Sequence, residues 1–164
     1  MKFKKLISAL LIVFTNTIFC NSFDTLYQQG LTAQQSMNWD AALESYLQAY
    51  ALAPERVEPL VMIAQYYIEQ KQPELAFMFA RRACEQEAPT TSTTLDFQIY
   101  DFYRYKALSE CASSVREWKL GLWATRQALQ VRPQDEQVHE RLCYYHEQLV
   151  LEAGRAILVN ESHE

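Results

Sequence analysis

The feature that most constrains the fold is a pattern of small and aromatic residues that recurs every 34 residues. Between residues 23 and 56, glycine occupies the eighth position, alanine the twentieth and twenty-seventh, tyrosine the twenty-fourth and proline the thirty-second. Recurrence at this length is typical of a helical hairpin that stacks on copies of itself, because one hairpin cannot bury its apolar face alone. Small residues let two helices cross closely, and proline ends a helix because it cannot continue the hydrogen-bond ladder. The pattern therefore predicts an all-α solenoid.

Three such units and one further helix account for the chain after residue 22. We predict units at 23–56, 57–90 and 102–135, an amphipathic capping helix at 136–159 and a disordered tail at 160–164. An eleven-residue segment, TTSTTLDFQIY, interrupts the period after the second unit, and we expect the aromatic run FQIYDFYRY to lengthen the first helix of the third unit. The residues at the repeating positions are Gly30, Ala42, Tyr46, Ala49 and Pro54 in the first unit, Ala64, Tyr67, Ala76 and Ala83 in the second, and Leu108, Ser109, Ala112, Gly121, Ala128 and Pro133 in the third.

These residues at these spacings resemble the tetratricopeptide repeat. The resemblance implies a right-handed α-α superhelix of about three helix pairs plus a C-terminal capping helix, whose concave face is lined by the first helix of each pair. It also implies that the side chains projecting from that face bind the partner: Tyr27, Gln34, Glu58, Gln65, Tyr103, Lys106 and Glu110. The paired lysines and asparagine with which some chaperone-binding repeats clamp a terminal carboxylate are absent. We therefore expect anionic C-terminal tails to be poor ligands.

A second resemblance covers residues 56–112. RVEPLVMIAQYYIEQKQPELAFMFARRA and, after a gap, LDFQIYDFYRYKALSECA are similar to the helical tail that follows some family 2 glycosyltransferase catalytic domains. The residues that carry this similarity are Arg56, Glu58, Pro59, Leu60, Ala64, Tyr66, Tyr67, Tyr100, Leu108 and Ser109. The chain has no Asp-x-Asp for a metal-bound sugar nucleotide, and too few residues precede the repeats to form a sugar-nucleotide fold. The resemblance implies common ancestry of the helical module without transferase activity.

The first 22 residues have the features of a secretory signal. Three lysines precede an apolar run between residues 6 and 19, and small residues flank a candidate cleavage site after Ser22. The apolar run is shorter than the about 20 residues that span a bilayer, which favours cleavage and export to the periplasm or outside the cell; a retained membrane anchor is the alternative. After cleavage we expect no membrane span. The remaining 12 basic and 20 acidic side chains argue against nucleic-acid binding.

Few residue patterns support catalysis or a cofactor. The three glycines do not form a phosphate-binding loop. His139, Cys143 and His146 follow each other at i, i+4 and i+7 and are a weak candidate metal or haem site, but the repeat register assigns them to positions that pack against the neighbouring helix. We expect core packing there.

Any two of Cys84, Cys111 and Cys143 could form a disulfide in an exported protein, and the sequence leaves that choice open.

The sequence predicts an exported, non-enzymatic scaffold that needs no cofactor and binds a protein or an extended peptide through its concave face. The alternative is an accessory, non-catalytic module of a glycan-processing system, which the glycosyltransferase resemblance alone favours. A metal- or haem-binding helical protein is the lesser alternative.

Overall fold

The computed structural model describes residues 23–89 and 95–161, and within these two ranges the chain consists of helices joined by turns, with no strand. In chain order the helices are α1 at 23–35, α2 at Trp39–Leu52, α3 at Glu58–Glu69, α4 at Pro73–Glu85, a π-helical turn at Ile99–Tyr103 that continues into α5 at Arg104–Cys111, α6 at Trp118–Val131 and α7 at Glu136–Glu161. The predicted all-α fold of three helix pairs and a C-terminal helix is confirmed.

Some of the predicted segments fall wholly or partly outside the described residues. The proposed signal at 1–22, the Thr/Ser-rich stretch at 90–94 and residues 162–164 lie outside the described residues. The C-terminal helix α7 continues through Glu161, two residues past the predicted end of the cap, so the first part of the predicted tail is helical. In the described part of the chain, none of the helices combines the length and the apolar character that a bilayer crossing requires.

The turn inside each helix pair has the same geometry. Each turn contains one non-glycine residue in the left-handed region, namely Met37 at φ 60°, Lys71 at φ 56° and Arg116 at φ 60°. The residue after it donates its N–H to a carbonyl five positions earlier, as in the Schellman motif. Met37 and Lys71 are 34 residues apart, which matches the sequence period, whereas Lys71 and Arg116 are 45 apart because the eleven-residue segment intervenes.

Small residues occupy the helix crossings. The alanines at these positions are at most 1% exposed: Ala42, Ala49, Ala64, Ala76 and Ala83. At Gly30 an added Cβ would lie 2.6 Å from Cδ1 of Tyr46, so α1 and α2 approach as closely as glycine allows. The hydroxyl of the buried Tyr46 donates to Gln34 Oε1 at 2.7 Å, which fixes the ring over the glycine. Pro54 follows α2, which ends at Leu52.

The register of α7 differs from the prediction by one residue. Val138 and Tyr145 are fully buried, whereas His139, Cys143 and His146, which the repeat register assigned to packing positions, are exposed. Four residues connect Val131 to Glu136, while five connect Leu52 to Glu58 in the first unit. Because each residue rotates the side-chain direction by about 100°, the shorter connection turns a different face of α7 inward.

Tyr145 is the residue that the shifted register brings into the core. Its hydroxyl donates to the backbone oxygen of Ser109 at 2.6 Å, and its ring covers Gly121 of α6, where an added Cβ would lie 2.5 Å from the hydroxyl oxygen. In both the Gly30–Tyr46 contact and this one, a tyrosine ring on the next helix along the chain lies against a glycine. A long C-terminal helix thus covers the last pair and keeps its apolar side from water.

Candidate functional site

A groove runs along the first helices of the three pairs. A cleft of about 650 Å³ lies between α1, α3 and the π-helical turn, and its walls include Tyr27, Met62 and Tyr103. A smaller cleft of about 190 Å³ lies between α3 and α5. Gln65 and Tyr103 line both clefts, so the two form one continuous depression. We call this depression the first-helix groove; it corresponds to the concave face expected from the sequence.

Six of the seven predicted partner-binding residues line the first-helix groove. They are Tyr27 and Glu58 at the larger cleft, Gln65 and Tyr103 at both clefts, and Lys106 and Glu110 at the smaller cleft. Gln34 is the exception, because its side-chain oxygen accepts the hydroxyl of Tyr46 and takes part in the packing of α1 against α2. That the six residues bind a partner stays a prediction.

Glu58 lies in the groove differently from the expectation. The repeat register predicts that its side chain projects outward, but Glu58 is only 1% exposed. Arg56 Nη2 lies 2.6 Å from Glu58 Oε1, and the hydroxyl of Tyr100 donates to Oε2 at 3.0 Å. Buried carboxylates require such partners, because burial of a charge without compensation is costly. Glu58 therefore belongs to the floor of the groove and not to its exposed wall.

The Arg56–Glu58 pair ties three parts of the chain together. The guanidinium of Arg56 lies 4.1 Å from the ring centroid of Phe23 and 3.6 Å from Asp24 Oδ1, both in α1. Burial by itself would lower the pKa of Arg56, but the hydrogen bond and charge of Glu58 raise it overall. Burial raises the pKa of Tyr100 to about 12, so its hydroxyl stays protonated at neutral pH and keeps donating to Glu58. The floor of the larger cleft is thereby fixed.

A π-helical turn at the start of the third pair lies beside the groove. The N–H of Arg104 donates to the carbonyl of Ile99, five residues back, so this turn contains one more residue than an α-helical turn. Ile99 and Asp96 line the larger cleft, while Tyr103 lies between the two clefts with 39% of its surface exposed. Single π-helical turns inside α-helices are frequent at functional sites. The aromatic composition predicted a longer helix here, but no signal in the sequence predicted the additional residue.

The histidine and cysteine candidates do not come together as a metal site. His139 Nε2 lies 2.7 Å from the carbonyl oxygen of Pro133, and His146 Nε2 lies 3.3 Å from Arg126 Nη2. Within residues 23–89 and 95–161, no three His, Cys, Asp or Glu side chains are arranged to hold a metal ion. The weak metal candidate at His139, Cys143 and His146 therefore receives no support from the structure.

Cys84, Cys111 and Cys143 carry free thiols in this structure. Cys84 Sγ donates to the carbonyl of Arg104 at 3.3 Å, and Cys111 Sγ donates to that of Ala107 at 3.1 Å. Burial raises the pKa of both thiols to about 12. Since the thiolate is the reactive form, the raised pKa favours a packing role over a nucleophilic one for Cys84 and Cys111.

No protein-family model and no curated protein sequence matches the chain. Solved structures match its fold. The first repeat domain of Spaghetti (RPAP3), bound to the HSP90 peptide SRMEEVD, superimposes with a TM-score of 0.64 at 13% identity, over 79% of this chain and 97% of that one. The first TPR domain of human RPAP3 has a TM-score of 0.63 at 13% identity, over 82% and 97%. The Sgt2 TPR domain from Aspergillus fumigatus has 0.59 at 20% identity, over 81% and 82%. The chain has the tetratricopeptide-repeat fold.

Proposed function

We propose that this protein is a non-enzymatic scaffold that binds an extended segment of a partner protein in the first-helix groove. The observation that carries the proposal is the continuity of the two clefts across all three helix pairs through Gln65 and Tyr103. A depression of this kind suits an extended chain, whose side chains enter successive clefts. A solved neighbour of the same fold is bound to the peptide SRMEEVD, which supports a peptide as the kind of ligand.

The walls of the groove are supported before any ligand arrives. Tyr27 stacks on Phe23 at 6.0 Å between ring centroids and lies 5.8 Å from the ring of Tyr46. The hydrogen bonds of Arg56 and Tyr100 to Glu58 fix the floor. Side chains that are already ordered lose little further freedom on binding, which favours affinity. The exposed amide of Gln65 adds both a donor and an acceptor for the backbone of a bound peptide.

Affinity capture with matched variants tests this proposal. The purified protein is immobilised as the wild type, as Gln65→Ala in the groove, and as Gln130→Ala, an exposed glutamine on α6 away from the groove. Both substitutions should leave stability within about 0.5 kcal/mol of the wild type, as is usual for surface positions. We expect a protein that the wild type and Gln130→Ala retain equally and that Gln65→Ala retains weakly.

Two results would argue against a peptide-binding groove. Equal retention by all three proteins would locate the binding surface elsewhere. Retention of glycans without any protein would favour the alternative suggested by the glycosyltransferase resemblance, an accessory module of a glycan-processing system.

The residues that carry that resemblance include Glu58, Leu60, Tyr100 and Leu108, and these are at most 1% exposed. Leu60, Tyr100 and Leu108 therefore contribute to packing, while Glu58 also forms part of the floor of the larger cleft.

We also propose that the protein is exported and acts in the periplasm or outside the cell. The basic and apolar character of residues 1–22 supports this proposal. N-terminal sequencing of the protein from separate cell fractions tests it. A mature N-terminus at Phe23 in the exported fraction is the expected result. An intact Met1 in the cytosol would refute export, and an intact Met1 in the membrane fraction would indicate the anchored form.

A further inference from the structure

We infer that the first-helix groove selects a cationic segment, that is, an extended peptide that carries lysine or arginine between apolar residues. The inference rests on the proposed function and specifies the chemistry of the ligand. It follows from the charges in the groove, from the partners that those charges already have, and from the apolar surface between them.

Carboxylates outnumber cationic groups along the groove. Among the described residues that line the two clefts, the acidic ones are Asp24, Glu58, Glu69, Asp96 and Glu110, and the basic ones are Arg56 and Lys106. Two more basic residues border the groove: Arg132 lies 5.0 Å from the ring centroid of Tyr103, and Arg141 Nη2 lies 3.2 Å from Glu110 Oε2. With the bordering Asp135 included, six carboxylates face four cations, so the surface is net negative.

Both basic residues that line the groove already have carboxylate partners within this chain. Arg56 Nη2 lies 2.6 Å from Glu58 Oε1 and is part of the buried floor. Lys106 Nζ lies 3.4 Å from Asp135 Oδ2 and 3.1 Å from Gln137 Oε1. An acidic ligand would have to displace these partners and would also face the remaining carboxylates. Unpaired like charges across an interface discriminate strongly against the wrong ligand.

The surface between the carboxylates is apolar and aromatic. The half-buried Leu31 and Met62 line the larger cleft, and the half-buried Ile68 lines the smaller one. Ile99 and Val61 also line the clefts but are at most 4% exposed. These positions suit apolar side chains of the ligand. At the boundary between the clefts, the half-exposed ring of Tyr103 offers a surface for the aliphatic stem of a lysine or arginine. The exposed carboxylate of Glu69 lies at the smaller cleft, where the charged end of such a side chain would pair. Glu110 lies at the same cleft with its Oε2 already 3.2 Å from Arg141 Nη2, so a ligand cation would share this carboxylate with Arg141.

Selection from a library of displayed random heptapeptides, with the purified protein as bait, tests the inference. We expect the enriched peptides to carry net positive charge together with apolar residues. A chemically synthesised enriched peptide should bind the Glu69→Gln/Glu110→Gln variant about fivefold to tenfold more weakly than the wild type, because the variant loses two exposed charge pairs with the peptide. The matched control is Glu44→Gln/Glu74→Gln, which makes the same charge change at exposed positions of α2 and α4, the second helices of the first two pairs. This variant should bind the peptide as the wild type does.

The possible outcomes separate this inference from the proposed function. Enrichment of neutral or acidic peptides, or unchanged binding to the Glu69→Gln/Glu110→Gln variant, would overturn the cationic preference and leave peptide binding in place. Failure to enrich any peptide would overturn both. Thermal unfolding of each variant shows whether a loss of affinity reflects a loss of folding, and added salt should weaken the wild-type complex because exposed charges are screened.

Discussion

Replacing each glycine in turn with alanine tests how much room there is for one added methyl group at three positions in the helices. The chain has three glycines, and all three lie in helices: Gly30 in α1, Gly121 in α6 and Gly154 in α7. Away from tertiary contacts, alanine is favoured over glycine in a helix by about 0.8–1 kcal/mol. An added Cβ meets no atom within 4 Å at Gly154. We therefore expect Gly154→Ala to stabilise α7 by up to about 1 kcal/mol.

The other two positions should respond with the opposite sign. At Gly30 the Cβ would lie 2.6 Å from Cδ1 of Tyr46, far inside the about 3.5–4.0 Å of an ordinary carbon contact. The buried ring cannot swing aside freely, because its hydroxyl donates to Gln34 Oε1. Overpacking of this kind typically costs about 1–3 kcal/mol. After the gain in helix propensity is subtracted, Gly30→Ala and Gly121→Ala should each destabilise the protein by up to about 2 kcal/mol.

Thermal and urea unfolding followed by circular dichroism supply the measurement. For a domain of this size, 2 kcal/mol corresponds to a lower midpoint by roughly 5–8 °C. Because the end of a helix can open locally, hydrogen exchange of the α7 amides is the more direct measurement for Gly154→Ala. If all three substitutions raised the midpoint, the close approach at Gly30 and Gly121 would be refuted.

A second substitution separates the contact from other effects. Shrinking the ring with Tyr46→Leu leaves room for a Cβ at residue 30. In that background Gly30→Ala should be neutral or stabilising, which corresponds to a coupling energy of about 1–3 kcal/mol between the two positions. Additive effects of the two substitutions would show that Tyr46 is not what excludes alanine.

Three further predictions concern packing, backbone and charge. Ala76→Leu should overpack a fully buried helix crossing and cost about 1–3 kcal/mol in urea unfolding, and an unchanged midpoint would contradict the close packing of α4. Lys71→Gly should stabilise the protein by up to about 1 kcal/mol, because glycine adopts the left-handed backbone at residue 71 without the strain that a side chain adds. Gln70→Gly should destabilise it, because residue 70 has an ordinary φ of −77° and glycine only adds freedom to the unfolded chain there. Burial alone would raise the pKa of Asp135, but the hydrogen bond from the Val138 N–H and the charge of Lys106 lower it overall. The stabilisation that this carboxylate provides is therefore present above its unfolded pKa and is lost as the pH falls through its folded pKa. Asp135→Asn should therefore unfold more readily than the wild type at neutral pH and match it in strongly acidic solution, as urea titrations at each pH would show.

The sequence by itself determined the helix pairs and most of the groove. A close helix crossing requires a small residue whichever helix lies opposite, so the positions of Gly30, Ala42, Ala64 and Ala76 could be read from their spacing alone. Stacked helices keep a nearly constant register from one pair to the next. Position within the repeat was therefore enough to place six of the seven predicted residues along the first-helix groove.

Only the tertiary structure decided how those residues are used. Glu58 is buried because Tyr100, 42 residues further along the chain, and the side chain of Arg56 cover its carboxylate, and periodicity carries no information about such a distant partner. The inward face of α7 depends on a connection one residue shorter than in the first unit. Asp96 and Ile99, which were not among the predicted groove residues, line the groove at and just before a π-helical turn that contains one additional residue. Since a single residue rotates a helix face by about 100°, changes too small to break the repeat decide which side chains a helix turns inward.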